Sequence, residues 1–334
     1  MRRRAILILS LVTLGILLTM PPAAEAQQSG KVYRVGLLWV NRQEPLMAFI
    51  QAFEEGLREH GYIVGQNLTI EHRFAEGKPE RLPALAAELA QLNVDLFVVP
   101  FTATALVAQQ AAPKTPIVMV FAVDPVREGV VKSLAHPGGN ITGLTVNVGP
   151  EIFGKNLQLL KETLPKGARI AILFNATPHG RQLNAGHLNA VEEAGRKLGV
   201  TLVRAEVRSA EDFEPAFTVM KQKRATGVVV LDEPLFYANR QRVSDLALRS
   251  GLAASWPGRQ GPETGSLMSY GVKLTALYRR AATYVDKILK GTKPSDLPIE
   301  QPATFELIVN MKTARALGLT IPPSILLRAD QVIQ

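Results

Sequence analysis

Apolar runs of strand length alternate with segments of helical periodicity from Tyr33 onward, and the alternation restarts midway along the chain. "YRVGLLWV" is a continuous apolar run of the kind buried on both faces of a parallel sheet. Glu44 to His60 follows with Leu46, Phe49, Ile50, Phe53 and Leu57 on one helical stripe, and Gly61 stops it. The order continues with "NLTIEHRF", a helix from Pro79 to Leu92, "DLFVVP", a helix from Ala103 to Ala112, "PIVMVFA" and a short helix from Val126 to Leu134. Strands joined through helices pair in parallel and wind right-handed, which specifies an α/β sheet covered on both faces.

From "ITGLTVNVG" the order repeats. Helices from Glu151 to Leu164, from about Gln182 to Leu198, from Asp212 to Lys223 and from Ala238 to Ser250 alternate with "ARIAILFN", "VTLVRAEV" and "GVVVLDEP". Two related sheets, one per half, follow from this. Beyond "SLMSYG" the chain holds only a long helix from Leu274 to Lys290, a Pro-rich passage, one strand and a short helix from Met311. That is too little for a third domain, so these pieces finish the two sheets and the chain crosses between lobes several times.

The chain opens "MRRRAILILSLVTLGILLTMPPAAEAQQ": a basic start, an apolar run from Ala5 to Met20 and Ala24-Glu25-Ala26. This is the pattern of a secretory signal peptide, residues 1–26, cleaved after Ala26; the run of about 16 residues is shorter than the roughly 20 of a spanning helix. The sequence contains no cysteine, so neither a disulfide nor a lipid-modified cysteine is expected, and the mature chain is read as a soluble periplasmic protein. Its formal charge of +9 loses three arginines and one glutamate with the leader, leaving +7. The remaining basic residues are scattered as "KQKR", "YRR" and "RQR" without interleaved aromatics, a solvated surface with no nucleic-acid partner.

No Gly-x-Ser-x-Gly elbow, Walker sequence or Gly-x-Gly-x-x-Gly after a strand occurs. "KGTKPS" follows a helix and "GRQGPETG" precedes none, so both read as turns. Five histidines share no ligand spacing, so no metal is expected, and none of these motifs calls for a cofactor. Open α/β sheets bind solutes outside the carboxyl ends of their strands. The residues there are Trp39 and Asn41; Phe101, Thr102, Ala103 and Thr104; Phe121 and Asp124; Asn175 and Thr177; Asp232, Phe236 and Tyr237; Trp256; and Tyr270. Of 12 Phe, six Tyr and two Trp in the chain, seven fall in this set, as expected of a cleft that holds an apolar or aromatic ligand.

The phrases "GYIVGQNLTIEHRFAEGKPERLPALAAELA", "FAVDPVREGVVKSLAHPGGNITGL" and "LMSYG", with the stretch from "LYRRAATYVDKILKGTKPSDLPIEQPATFELIVN" through "MKTARALGLTIPPSILLRAD", are distinctive. The chain from about Val32 to its end resembles the ABC-transporter substrate-binding proteins described as tryptophan/tyrosine transport components, which have the type I periplasmic-binding-protein fold. Where family members commonly carry Gly-Thr-Pro and Tyr-Gly-Phe-Arg-Glu-Phe, this chain has "FTAT" and "WPGRQG", both at the cleft.

The resemblance implies two Rossmann-like lobes, each a mainly parallel sheet with helices on both faces, joined by three crossing strands. The first lobe would comprise residues 31–142 plus 268–298 and the second residues 143–267 plus 299–334. Hinges would lie near 143–147, 254–267 and 299–305. It further implies a monomeric, non-catalytic receptor that closes on an amino acid or related apolar carboxylate and delivers it to an ABC permease and its ATPase, touching the membrane only through the permease. Thr102 and Thr104 would take the ligand carboxylate, and Asp124 or Asp232 its ammonium. A periplasmic sensor that passes a signal to a membrane protein is the alternative, and an enzyme on the same fold is a third reading.

Overall fold

A computed structural model describes residues 31–334; the expected leader and its cleavage site lie outside the described residues. The first sheet is wholly parallel and runs β2-β1-β3-β4-β5, from β1 (Tyr33–Trp39), β2 (Leu68–Phe74), β3 (Leu96–Val99), β4 (Ile117–Ala122) and β5 (Ile141–Thr145). Helices α1 (Met47–Glu59), α2 (Leu82–Gln91) and α3 (Thr102–Ala111) connect its strands. Val35, Leu37, Val98, Val118 and Val120 share one buried cluster with Phe53 and Leu57 of α1. Leu38, Phe97, Val99 and Met119 share another with Leu85 and Leu89 of α2 and Ala105 and Ala108 of α3. Burial on both faces is why these strands read as unbroken apolar runs.

The second sheet contains β6 (Arg169–Asn175), β7 (Thr201–Val207), β8 (Ala225–Val230), β9 (Ala253–Trp256), β10 (Met268–Val272), β11 (Phe305–Asn310) and β12 (Gln331–Ile333). Its order is β12-β11-β10-β9-β8-β6-β7, and only the β10–β11 pair is antiparallel. Its helices are α4 (Glu151–Glu162), α5 (Pro178–Leu198), α6 (Phe213–Gln222), α7 (Pro234–Ala238), α8 (Arg240–Arg249) and α9 (Gln260–Glu263). After β10 come α10 (Leu274–Leu289), α11 (Met311–Ala316) and α12 (Pro323–Leu326). Phe153, Leu157 and Leu160 of α4 pack with Ile170, Ile172 and Phe174, while Phe213, Phe217 and Met220 of α6 pack with Ala171 and Leu173 on the opposite face.

Helix α10 returns to the first lobe. Leu277, Tyr278, Ala281 and Val285 enter the same cluster as Phe53 and Leu57. Gly56 permits the approach, because a Cβ there would stand 2.6 Å from the Arg279 carbonyl oxygen and 2.8 Å from the Ala282 Cβ.

Strand pairing corrects the expected boundaries. The expected first lobe includes Met268–Val272, yet β10 lies between β9 and β11 in the second sheet. Asn156 of α4 ties it there: its Nδ2 donates to the Tyr270 carbonyl at 2.7 Å, and its Oδ1 accepts from Tyr270 N at 3.2 Å and Ser255 Oγ at 2.8 Å. The second crossing is therefore at Lys273, not within 254–267. The expected helix from Val126 to Leu134 is a set of turns. The Asp124 carboxylate accepts from Arg127 N at 3.1 Å, Val130 N and Val131 N both reach the Pro125 carbonyl, and Gly129 has φ 72°, which ends the turn before a helix can propagate.

The three crossings run side by side. Thr145 N donates to the Glu300 carbonyl at 2.9 Å, Glu300 N to the Gly143 carbonyl at 3.1 Å, and Lys273 N to the Thr304 carbonyl at 3.0 Å. The Arg280 guanidinium grips the Glu300 carboxylate through two bonds of 2.8 Å, a bidentate pair that draws its pKa down. Among the described residues no helix is long and apolar enough to cross a membrane, and no cluster of His, Cys, Asp and Glu could hold a metal ion.

Candidate ligand cleft

The carboxyl ends of strands in the two sheets converge on a cleft with two adjoining chambers. The larger, about 590 Å³, is mainly apolar: Phe101, Phe121 and Val123 line it from the first lobe, and Ile152, Phe153, Tyr237 and Pro257 from the second. Asp232, Arg240, Arg259 and Gln260 interrupt the apolar lining. The smaller, about 400 Å³, has more polar side chains among its lining, with Asp124, Arg127, Glu128, Asn147, Gln182, His187 and Glu233 on its walls. Val123, Val146, Val148, Phe153, Asp232 and Tyr237 belong to both. A cavity of several hundred cubic ångströms with an apolar body and a few polar groups at one end is the usual form of a small-molecule site.

Local sequence explains each wall. Phe101 precedes α3 in an extended conformation, and its backbone N–H donates to Thr104 Oγ1 at 3.3 Å; this turn leaves the ring 42 % exposed in the cleft. Behind it the rings continue inward: Phe101 to Phe121 at 6.2 Å, Phe121 edge-on to Tyr278 at 5.1 Å, Tyr278 to Trp39 at 5.4 Å. On the second lobe, Phe153 of α4 stacks on His187 of α5 at 4.2 Å, and Tyr237 of α7 meets Trp256 edge-on at 5.9 Å. The turn after β8 presents Asp232. Its carboxylate is exposed to the cleft, yet the enclosing walls crowd out water. That desolvation pushes its pKa up, neighbouring Glu233 adds repulsion, and the Tyr237 hydroxyl opposes both. Burial likewise holds the Tyr237 phenol well above its ordinary range, with Asp232 reinforcing the shift. Arg259 is tied back by Glu263 at 2.8 Å and Gln331 at 3.1 Å, while Arg240 donates to the Tyr237 carbonyl at 3.0 Å.

The structure brings Phe101, Phe121, Asp124 and Asp232 together on the cleft wall. Three expected aromatics are corrected to core residues, each almost wholly buried. Trp39 is inside the first lobe, where its Nε1 donates to His72 Nδ1 at 3.2 Å; Phe236 and Trp256 are inside the second. Tyr270 stacks on Phe305 and lines neither chamber. Asn41 is exposed away from both. Thr102 and Thr104 are buried in the first turn of α3, Ala103 is exposed beside them, and Asn175 is buried beneath Glu233. Sequence reasoning misses Phe153, His187, Gln182 and Arg240, which come from helices, and Gly258 to Gln260, which belong to a stretch expected to be only a turn.

Two mainly parallel α/β sheets with a ligand-sized cleft between their strand ends define a solute receptor. The chain belongs to the ABC transporter substrate binding protein family, whose model matches residues 35–333. It is 23 % identical over 299 residues to a tyrosine-binding protein of Clostridioides difficile (strain R20291), spanning 87 % of this chain and 82 % of that one. Two solved structures extend the likeness. A ligand-free, open substrate-binding protein with adhesive properties from Clostridium difficile matches at TM-score 0.75 and 24 % identity, over 91 % of this chain and all of that one. A Streptococcus pneumonia ABC domain in complex with L-Trp matches at TM-score 0.68 and 25 % identity, over 90 % and 99 %. The protein is a substrate-binding component that captures a small ligand for an ABC transporter.

Proposed function

We propose that the ligand is an apolar or aromatic amino acid, held between the lobes with its side chain in the larger chamber. The observation that carries this reading is the exposed Phe101 ring facing Phe153 and Tyr237 across a 590 Å³ space with charged groups at its edge. Covering a phenylalanine-sized apolar surface contributes roughly 1.5–3 kcal/mol, and offset ring contacts add about 0.5–1.5 kcal/mol. The tyrosine-binding and L-Trp-bound relatives support the same ligand class. The first-turn N–H groups of α3, with Thr102 beside them, receive the carboxylate, where the helix dipole of about half a unit charge favours an anion.

In this reading the crossings near 143–147, 273 and 299–305 form the hinge, and closure presents the permease with a different pair of lobe surfaces when ligand is bound. The mature chain is a periplasmic monomer released by cleavage after Ala26 and performs no turnover of its ligand. Thermal melting of the mature protein with a panel of amino acids tests the assignment. A ligand at about 100 times its dissociation constant adds roughly 2.7 kcal/mol, so aromatic or branched amino acids raise Tm by several degrees while glycine and sugars do not. Stabilisation by sugars alone would overturn it.

A further inference from the structure

Strands β6 to β9 are parallel and point their carboxyl ends at the cleft, so their amino ends and the C-termini of the preceding helices form a pole on the far side of the second lobe. The pole is roughly 20 Å from the cleft, the length of the seven-residue β6. Basic residues scattered along the sequence meet there. Lys166 stands in the turn before β6, Lys221, Lys223 and Arg224 close α6 ahead of β8, and Arg249 closes α8 ahead of β9; all are exposed. Arg169, also exposed, opens β6 in register with Ala225, and its guanidinium donates to the Lys223 carbonyl at 3.2 Å. Among the described residues none of these six forms an ion pair, and the acids of the neighbouring helices α4 and α5, Glu162 and Glu193, are already held by Arg328 and Lys197. The same edge of the first lobe carries paired charge: Lys31 meets Asp95 at 2.8 Å and Lys290 meets Asp286 at 2.7 Å.

A cation in the last turn of a helix answers the helix dipole, which accounts for Lys221 and Arg249. It does not account for Lys166, Lys223 and Arg224, which lie outside the helices, or for Arg169 in a strand. Arg224 has φ 57°, in the left-handed region that Gly and Asn occupy most readily; the matching turn of the first lobe, between α2 and β3, places Asn93 there with φ 51°. An arginine in that position keeps a charge where the backbone favours a different residue. Val219 and Leu248, in the last turns of α6 and α8, are exposed beside these cations. No aromatic ring is exposed among the described residues of this pole, so a nucleic-acid base has nothing to stack on. Cations interspersed with apolar groups suit a layer of phosphates with hydrocarbon beneath it. The family serves a membrane transporter, and no cysteine in the sequence could carry a lipid.

We propose that this pole is an electrostatic contact for an anionic phospholipid surface, holding the receptor near the membrane of its transporter with the cleft turned away and free to close. The proposal depends on the family's transporter and not on the amino-acid ligand. Each cation within a Debye length of such a surface, about 10 Å at 0.1 M salt, strengthens attachment roughly fivefold. Co-sedimentation of the mature chain, residues 27–334, with vesicles of about 30 % phosphatidylglycerol in phosphatidylcholine tests it. The wild type attaches at about 0.05 M salt, lets go at about 0.5 M and ignores pure phosphatidylcholine. The triple variant Lys221→Gln, Lys223→Gln, Arg224→Asn, whose asparagine suits the left-handed turn, weakens attachment about 10- to 100-fold with an unchanged melting temperature. The triple variant Lys114→Gln, Lys287→Gln, Lys293→Gln, which removes the same charge from exposed positions of the first lobe, changes attachment less than about threefold. Should the first variant fail to fold, Lys166→Gln with Arg249→Gln gives a loss of about 5- to 25-fold, and no loss there overturns the inference. So does a wild type that attaches to neither vesicle or equally to both, an equal loss in the two triple variants, or tighter binding to a DNA duplex at the same phosphate concentration.

Discussion

The two lobes bring the same part of the same kind of sheet to the cleft and furnish it differently. Strand ends of the first lobe carry Phe101, Phe121 and Val123, with rings packed back toward the core; those of the second carry Asp232, Glu233, Arg259 and, on the following helix, Arg240. The first lobe puts rings at its strand ends and its charged groups, Asp124, Arg127 and Glu128, in the turns beyond β4; the second puts acids at its strand end and its apolar surface, Ile152 and Phe153, on a helix. The sheets differ too. Five parallel strands make the first, whereas the second has seven with one antiparallel pair at β10–β11 beside the second crossing.

Substitutions in each lobe break or sharpen this contrast. The largest effect is expected from Phe53→Ala, which empties the packing between α1 and the first sheet and costs about 3–5 kcal/mol, read as a lower denaturation midpoint. Next is Gly271→Ala at the end of β10. A Cβ there would stand 1.7 Å from the Pro257 carbonyl oxygen, so the backbone must shift; a loss of about 1–3 kcal/mol in stability, with weakened ligand binding, is expected by the same measurement and calorimetry. Phe101→Ala acts on the apolar wall and not on the fold. It lowers affinity by about 1 kcal/mol for aromatic ligands while the melting temperature stays near wild type.

The smallest effect concerns pH. The Asp232 carboxyl has a raised pKa in the folded chain, so the folded state holds its proton longer than the unfolded state does. Its contribution to stability is present in acid and declines as pH rises from the ordinary value of 3.8 through the raised one. Asp232→Asn removes that decline, so the melting temperature of the variant relative to wild type rises slightly from about pH 3 to about pH 7. A relative melting temperature that falls over that range would reverse the assigned direction.

Much of the fold was legible because apolar periodicity encodes strands and helices directly: Leu96–Val99 and Arg169–Asn175 lie where their runs of Val, Ile, Leu and Phe predicted. Sheet membership was less so. "LMSYG" announces a strand, but only its pairing with β9 and β11 and the bridge through Asn156 decide which sheet receives it. The site divides along a similar line. Strand ends led to Phe101, Phe121, Asp124 and Asp232, but an indole or phenyl ring after a strand reads the same whether it turns inward, as Trp39, Phe236 and Trp256 do, or outward. Phe153 and His187 face the cleft from helices, a contribution that a search of strand ends does not reach. Glu233 follows Asp232 directly; only burial separates their characters.

The ring-on-ring packing behind each wall has an optical consequence. The protein's two indoles lie one in each lobe: Trp39 in contact with Tyr278, which touches the cleft ring Phe121, and Trp256 against Tyr237, itself a cleft residue. Each fluorophore is therefore shielded from solvent, yet one or two rings removed from the surface of the cleft. Replacing one indole at a time turns the native chain into a pair of single-colour reporters that watch the two halves separately, with no added dye.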